Sequence, residues 1–394
     1  MPQPPPHHLH RVITLWPLLF NGLGVIVGAG IYVAIGAVIE RAGDASPLSF
    51  LLAGIPAVLT GLCYAELAGR FPEASGSVAY VRHGFGSQRL AQLTGAAMTF
   101  AVAISAASIA LGAVHYLAAL VPLPPPLMVV LLVGGFTGIA MYGVGTGVRL
   151  AAAMGVIEIA GLVAATVAGL VTIPPGHAVA WVPLSLIGWQ GAFAGAFIAF
   201  FAFIGFETMV NLAEEVKTPQ RTLPLAILGA VGASLVLYIA VASAVVLADS
   251  PVGNPLLGLF DDKGAQLFAA VASIAVANGV LVQIIMLARM FYGMAGNAQL
   301  PAVLRRVDPR TGSPRHATLL AGGIILAVAL MVPFERLLAV TNTVALGVFT
   351  LVNLALWRVQ RRAPAGPGVF TVSRWVPPAA ALSALALLGA EILR

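Results

Sequence analysis

The sequence predicts an all-α integral membrane protein with about eleven transmembrane helices, and three observations lead to this fold class. Of its 394 residues, 60% are apolar and only 9% are charged, whereas soluble domains carry about 25% charged residues. The apolar residues form about eleven runs that approach the roughly 20 residues needed to cross a bilayer. The first and sixth runs are interrupted by glycine, which costs an α-helix about 1 kcal/mol. We therefore expect two irregular helices within the membrane.

The predicted spans are joined by connections that are too short to hold a soluble catalytic domain. Spans 1 to 5 are predicted at 14–38, 47–69, 88–120, 127–143 and 148–172. Spans 6 to 11 are predicted at 189–211, 222–248, 265–296, 318–333, 335–357 and 375–393. Because the interrupted runs open the first and the sixth spans, the ten-span core 14–357 divides into two repeats of five in inverted topology, 14–172 and 189–357.

The ends of the chain differ from this core in composition. Residues 1–13 are rich in proline and histidine and are expected to form a disordered cytoplasmic tail. Residues 358–394 are expected to form a basic linker followed by the eleventh span.

The distribution of basic residues predicts the orientation of the chain. With the N-terminus in the cytoplasm, sixteen of the twenty Lys and Arg residues lie inside, and only Arg41, Lys263, Arg336 and Arg394 lie outside. This is the positive-inside bias of multi-pass proteins. The net charge of +6 therefore reflects orientation in a cytoplasmic membrane rather than binding of a nucleic acid.

Several function classes are disfavoured by what the sequence lacks. The single cysteine, Cys63, forms neither an intrachain disulfide nor a cysteine-based metal site. A membrane enzyme would need a catalytic motif, and no HExxH, CxxC or GxSxG pattern is present. A channel would be expected to carry a repeated pore loop or charged rings. We therefore expect no enzyme, no cofactor and no bound metal.

The two interrupted spans are the candidate binding site. Interruption of span 1 at Gly28–Gly30 and of span 6 at Gly205 would leave backbone N–H and C=O groups free of helical hydrogen bonds. Such groups suit the carboxylate and ammonium of an amino acid. The candidate binding residues are Val27, Gly28, Ala29, Gly30, Ile31, Phe201, Ala202, Phe203, Ile204 and Gly205.

Each pole of the amino acid has its own predicted backbone partners. The carboxylate would face the N–H groups of residues 29–31, and the ammonium would face carbonyls near Val27 and those of Phe201, Ala202 and Ile204. The phenylalanines at 201, 203 and 206 would then select the substrate side chain. For span 1 the alternative is small-residue helix packing, since Gly24 and Gly28 fit a GxxxG pattern.

Two acids within the predicted spans are candidates for coupling or gating. Glu207 would lie in the first turn after the span 6 break. Its alternative roles are a structural acid at a helix N-terminus, a pH-sensitive gate, or a contact to a cationic substrate. Glu158 shares a helical face with Ala151, Gly155, Leu162 and Ala165, and is therefore expected to face packed protein. It is either a structural hydrogen-bonding group or the carrier of a coupling proton. Polar residues of spans 3 and 10, such as Ser108 and Asn342, are candidates to line the cavity, but hydroxyl groups there are expected to bond back to their own helices.

Four segments resemble the amino acid–polyamine–organocation family of permeases: VGAGIY, YAELAGRFPEASGSVAY, FAFIGFETMVNLAEEVKTPQRTLPLAI and ARMFYGMAGNAQLP, which begin at 27, 64, 201 and 288. The resemblance implies the five-plus-five inverted-repeat fold with broken spans 1 and 6, and alternating access. Two departures stand out. Eleven spans are predicted where relatives commonly have twelve, and Glu158 aligns where several relatives carry a lysine in place of a sodium ion.

The function expected from this resemblance is secondary active transport of amino acids, with protons as the coupling ion. Polyamine or organic-cation transport is the alternative within the same class. Sodium remains an alternative to the proton, because a carboxylate beside carbonyl groups near Gly24 and Val27 also suits a hard cation. The sequence does not indicate the oligomeric state.

Overall fold

The computed structural model of the protein describes residues 11–392 apart from 74, 143, 177–178 and 297–298, and only the backbone at 28, 29 and 144–154. In the described part of the chain every regular element is helical, and the one extended contact is an isolated bridge between Ile13 and Val216. The all-α prediction is confirmed.

The α-helices follow the predicted spans closely. In the first half they are α1 (Leu15–Ala42), α2 (Ser46–Arg70), α3 (Gly76–Phe85), α4 (Gln88–Leu117), α5 (Pro125–Met141) and α6 (Val144–Val171). In the second half they are α7 (Leu186–Ala199), α8 (Pro219–Leu247), α9 (Asp262–Gly296), α10 (Arg315–Met331), α11 (Phe334–Arg362) and α12 (Val376–Ile392). Helix α3 was not predicted. At 10 residues it is about 15 Å long, too short to cross a bilayer.

Many of these helices are suited to a membrane. Within the described residues, six helical segments are long and apolar enough to cross one, and the first of them joins α1 and α2 through a short 3-10 turn. Shorter apolar helices cover α5, most of α6, α10 and α12. The protein is therefore a multi-pass membrane protein.

The predicted interruption of span 1 is wrong. Helix α1 runs without a break from Leu15 to Ala42 and includes Gly28, Ala29 and Gly30. The structure gives Gly30 a different role, because a Cβ atom at this position would lie 2.6 Å from both the Cα and the carbonyl oxygen of Ala202. Glycine is needed here for close approach of two backbones. The packing alternative named Gly24 and Gly28 instead: nothing lies within 4 Å of a Cβ atom at Gly24, and the surroundings of Gly28 lie outside the described residues.

The predicted interruption of span 6 is confirmed. Helix α7 ends at Ala199, and a 3-10 turn covers Phe200–Phe203. Ile204 is extended, Gly205 has φ +131°, and a second 3-10 segment covers Phe206–Leu212. Only glycine adopts such a φ angle at little cost, so Gly205 fixes the position of the break.

The helices of the first half of the chain pack against those of the second half. Helix α1 contacts α7 and α8, α2 contacts α8, α4 contacts α9, and α5 contacts α10. The core therefore lies between the first and second halves of the chain.

The segment before α1 is ordered from residue 12 onward, unlike the disordered tail predicted for 1–13. The amides of Val12 and Ile13 donate to the carbonyl oxygen of Glu215 at 2.9 and 3.0 Å, and the amide of Lys217 donates to Ile13 at 3.0 Å. The N-terminal segment is thus tied to the chain that follows the broken helix. Residues 1–10 lie outside the described part.

The linker between α11 and α12 closes against the end of α2. The Glu66 carboxylate is buried, and its Oε2 accepts hydrogen bonds from the Val372 amide and the Gln360 side chain, both at 2.8 Å. Its Oε1 pairs with Arg70 at 2.7 Å. These contacts hold the linker against the bundle.

Single cysteines at Asp262 and Arg306 test the orientation of the bundle. Both residues are exposed, and a Cys63→Ala background removes the only other thiol. Because of the positive-inside bias, we expect Asp262→Cys to react with an impermeant maleimide on intact cells and Arg306→Cys to react only after permeabilisation. The reverse labelling pattern would place the N-terminus outside and contradict the prediction.

Candidate functional site

The structure brings the two predicted segments together at the centre of the bundle. Gly30 of α1 lies against Ala202, and a Cβ atom at Gly205 would lie 2.9 Å from the side chain of Val25. Since α1 and the irregular segment 200–206 touch through their backbones, no space for a substrate remains between them at these contacts. The structure therefore shows a closed arrangement of the candidate site.

The carbonyl groups predicted to be free are in part already bonded. The carbonyl of Phe201 accepts a hydrogen bond from the Ile204 amide at 3.2 Å. The hydroxyl of Tyr238 lies 2.8 Å from the carbonyl oxygens of both Ala202 and Ile26. The Ile26 carbonyl also lies within the continuous helix α1, where the amide four residues later is its helical donor, so the Ala202 carbonyl is the one that has left the helical pattern and bonds to Tyr238.

Sequence reasoning missed Tyr238. It lies in the middle of α8 and is fully buried. The only sequence signal was a hydroxyl within a long apolar run, and a buried tyrosine hydroxyl usually finds a partner. Its ring also stands edge-on to Phe203, with centroids 5.2 Å apart, so one residue supports both the side chains and the carbonyls of the break.

The N–H groups of residues 29–31 are not available in this state. They belong to the continuous helix α1, whose amides bond to carbonyls four residues earlier. The prediction that a break in α1 leaves these N–H groups without helical hydrogen bonds is therefore wrong. Any role in holding a carboxylate requires a change in this part of α1.

Glu207 caps the break. Its Oε2 accepts a hydrogen bond from the amide of Gly205 at 2.8 Å, and the side chain is buried. The carbonyl of the same glycine accepts from the amide and the hydroxyl of Thr208, at 3.0 and 2.7 Å. In this state Glu207 has the structural contact that was one of its predicted roles.

Glu158 lies in a separate buried polar cluster between α1, α6 and α9. Its Oε1 accepts a hydrogen bond from the side-chain amide of Asn278 at 2.7 Å, and its backbone carbonyl accepts from the hydroxyl of Tyr32 at 2.8 Å. Among the described atoms its Oε2 has no hydrogen-bond partner. A Cβ atom at Gly155 would lie 3.8 Å from this oxygen and 3.9 Å from Gly24. The free oxygen therefore lies near α1.

The predicted packed face of α6 is confirmed where it is described. Glu158, Leu162 and Ala165 are fully buried, while the side chain of Ala151 lies outside the described residues. The cluster also extends outward, because the hydroxyl of Tyr116 donates to the carbonyl of Tyr32 at 2.8 Å.

Aromatic rings close the bundle around Phe206. Its ring lies 5.5 Å from Tyr64 and 5.2 Å from Phe349, and Tyr64 in turn contacts Tyr80 at 5.7 Å. All four side chains are fully buried. A substrate can pass this layer only if the helices that carry the rings move apart.

The polar residues of spans 3 and 10 have different roles. The hydroxyl of Ser108 bonds back to Ile104 at 3.1 Å, as predicted. Asn342 instead donates to the carbonyl of Phe197 at 2.6 Å, in the last turn of α7. It satisfies one of the carbonyls that a helix leaves without a partner at its C-terminal end.

A helix that is interrupted within an apolar segment and enclosed by protein is typical of helical transporters. The sequence model described as "Amino acid permease" matches residues 13–392, and the chain belongs to this family. The prediction of a transporter of the amino acid permease class, and not an enzyme, is confirmed at this level.

Relatives from bacteria and plants cover most of the chain. It is 28% identical to the methylthioribose transporter of Bacillus subtilis (strain 168), over 95% of this chain and 87% of that protein. It is 26% identical to the branched-chain amino acid permease of the same organism, over 92% and 83%. It is 30% identical to the vacuolar cationic amino acid transporter 4 of Arabidopsis thaliana, over 95% of this chain and 65% of that protein. The chain thus spans about two thirds of the length of this plant relative.

Alanine at Gly30 tests the contact between α1 and the broken helix. The added Cβ atom would meet the Ala202 backbone at 2.6 Å, and overpacking of this kind costs about 1 to 3 kcal/mol. We expect Gly30→Ala to destabilise this closed arrangement and therefore to lower the melting temperature of the detergent-purified protein.

Gly24→Ala is the matched control on the same helix. Nothing lies within 4 Å of a Cβ atom at this position, so the change should only add helix propensity, worth up to about 1 kcal/mol. Equal melting temperatures for the two variants would show that the Gly30 contact is not critical.

Proposed function

We propose that this protein is a secondary active transporter that moves amino acids across a cell membrane by alternating access. The observation that carries the proposal is the break at 200–206, where the carbonyl of Ala202 has left the helical pattern, lies against Gly30 of α1 and bonds to the side chain of Tyr238. An ammonium group has three protons. It would replace Tyr238 as the donor to the Ala202 carbonyl when the break opens, with protons left for other acceptors in the site.

Binding then requires that the two backbones separate. Since Gly30 and Ala202 are in direct contact, a substrate enters only after α1 and the broken helix move apart on one side. The aromatic layer of Tyr64, Phe206 and Phe349 would close the other side. Alternation between these two openings is the transport cycle that we propose.

The five-plus-five inverted repeat belongs to this proposal. It is supported by the contacts of α1, α2, α4 and α5 with α7, α8, α9 and α10, and by the similar lengths of two of these pairs, α4 with α9 (30 and 35 residues) and α5 with α10 (17 residues each). An axis that relates two inverted halves brings equivalent helices together near the middle of the membrane. In this scheme α12 is the eleventh span, and the N-terminus is cytoplasmic. Several plant relatives carry organellar names, such as vacuolar and chloroplastic, so the cell membrane is also part of the proposal.

The walls of the site favour apolar substrate side chains. Phe201, Phe203 and Phe206 are buried around the break, and the relatives include a branched-chain amino acid permease. A cationic amino acid or a polyamine is the second candidate. It is favoured by the buried Oε2 of Glu158, which has no partner among the described atoms, and by the cationic amino acid transporters among the relatives.

A thermal-shift screen tests the substrate class. The purified protein would be heated with each amino acid, with spermidine and putrescine, and with methylthioribose. A ligand at 100 times its Kd stabilises the folded state by about 2.7 kcal/mol, so we expect a clear rise in melting temperature for apolar amino acids. A response to polyamines alone would favour the second candidate, and no response to any amino acid would contradict the proposal.

We further propose that Glu158 carries a coupling proton. Its Oε1 is held by Asn278 at 2.7 Å, while its free Oε2 lies near α1, so proton binding at this oxygen is placed to respond to movement of α1. Sodium is the alternative, because a carboxylate beside backbone carbonyls also suits a hard cation.

Glu158→Gln tests this role. The glutamine keeps an oxygen for Asn278 but binds no additional proton, so substrate exchange should persist while accumulation driven by an inward proton gradient should be lost. Radiolabelled uptake and counterflow in proteoliposomes measure the two activities.

Glu207→Gln serves as the matched control, because it also removes one buried carboxylate but alters only the cap of Gly205. We expect this variant to retain gradient-driven accumulation. Full accumulation by Glu158→Gln would remove this residue from the coupling step, and uptake that needs sodium and ignores the proton gradient would decide for sodium.

A further inference from the structure

A cleft of about 360 Å³ opens between the end of α11 and the beginning of α12, away from the candidate transport site. It is lined by Trp357, Gln360, Arg361, Arg374, Trp375 and Pro378. Helix α11 ends at Arg362 and α12 begins at Val376, so the cleft lies where two apolar helices meet water.

The positive charge of this cleft is not neutralised by the protein. The Arg361 guanidinium lies 3.9 Å from the centre of the Trp357 ring, and Arg374 is exposed on the linker. Within the described residues neither arginine lies in a salt bridge. The neighbouring arginines differ, because Arg358 lies over Phe85 and Arg362 donates to the carbonyl of Gly84 at 3.1 Å.

The apolar part of the cleft is also unprotected. The Trp375 side chain is 81% exposed, and Trp357 forms the opposite wall beneath Arg361. Tryptophan is enriched at the membrane–water interface, where its ring lies at the level of the lipid headgroups. The first turn of α12 contains Pro377 and Pro378, which have no N–H group, so an anion in the cleft would be held by the arginines rather than by the helix N-terminus.

We propose that this cleft binds the headgroup phosphate of an anionic phospholipid. The two guanidinium groups would hold the phosphate oxygens, a geometry for which arginine is well suited. The tryptophan rings would pack against the glycerol and the first methylene groups of the lipid. The exposed ring of Trp375 and the half-buried ring of Trp357 gain nothing from a free phosphate ion. Basic pockets between membrane helices bind lipid headgroups.

The site is connected to the transporter core. Gln360 forms one wall of the cleft, and its side chain donates to Oε2 of Glu66 in α2 and to the carbonyl of Val372 in the linker, at 2.8 and 3.1 Å. A lipid bound between α11 and the linker therefore reinforces the contacts that hold the linker against α2. We therefore expect lipid binding to be saturable and to raise the melting temperature of the protein.

Native mass spectrometry of the purified, delipidated full chain tests the proposal. The protein is titrated with dioleoylphosphatidylglycerol or with dioleoylphosphatidylcholine. We expect one tightly bound phosphatidylglycerol, with phosphatidylcholine binding about tenfold more weakly. The double variant Arg361→Gln/Arg374→Gln should weaken phosphatidylglycerol binding by about tenfold, since each basic residue near a membrane surface contributes to anionic lipid binding.

The matched control is Arg305→Gln/Arg306→Gln, which removes the same charge from exposed positions of another loop and should bind as the wild type does. Arg374→Gln alone is the second variant if the double variant fails to fold, and a threefold or greater loss is expected for it. Melting temperatures with and without lipid provide an independent measurement.

Equal affinity for the two lipids, or unchanged binding by the cleft variants, would overturn the proposal. So would a loss of binding in the control variant equal to that in the cleft variants. Equally strong binding of glycerol 3-phosphate would indicate a site for a free phosphate, which would also overturn the proposal.

A dimer in the spectra that dissociates only in the cleft variants would assign this surface to a second copy of the chain. That result would also overturn the proposal.

Discussion

Backbone polar groups within a membrane have no water to bond with, and this constraint governs the centre of the protein. Leaving the helix at Ala199 frees carbonyl and amide groups that would each cost several kcal/mol if they stayed without partners in an apolar medium. The chain supplies three side chains from different places. Asn342 bonds the last turn of α7, Tyr238 bonds the carbonyl of Ala202, and Glu207 bonds the amide of Gly205.

These partners differ in how firmly they fix the break. The carboxylate of Glu207 is two residues from the amide that it caps, so the contact is local and moves with the segment. Tyr238 of α8 bonds the carbonyl of Ala202 within the irregular segment, and Asn342 of α11 bonds the carbonyl of Phe197 in the last turn of α7. A movement that separates α8 or α11 from the break therefore has to exchange these hydrogen bonds for others, and a polar substrate is a suitable replacement.

The sequence was sufficient to predict the positions of the helices and one of the two predicted breaks. Each predicted span coincides with a helix because bilayer thickness imposes a minimum apolar length, and the break at Gly205 follows from a φ angle of +131° that other residues avoid. The same reasoning failed at Gly30, because glycine serves equally well for a bend and for the close approach of another backbone. Only the position of Ala202 in space distinguishes the two.

The polar partners of the site could not be predicted from local sequence patterns. Asn278 is 120 residues from Glu158, and Asn342 is 145 residues from Phe197. No periodicity or spacing rule connects positions so far apart, and buried Tyr238 is indistinguishable in sequence from an ordinary core tyrosine. The prediction that Glu158 faces packed protein is confirmed, but the sequence did not identify what either Glu158 or Glu207 touches.

The short pairing of Val12 and Ile13 with residues 215–217 has a mechanical consequence. Three backbone hydrogen bonds connect the beginning of the chain to the end of the irregular segment. A displacement of that segment must therefore either pull the N-terminal residues along or break all three bonds. In the transport cycle proposed above, residues 12–13 would therefore act as a tether on this segment, and a bulky domain or a protein bound at this end of the chain would slow its movement.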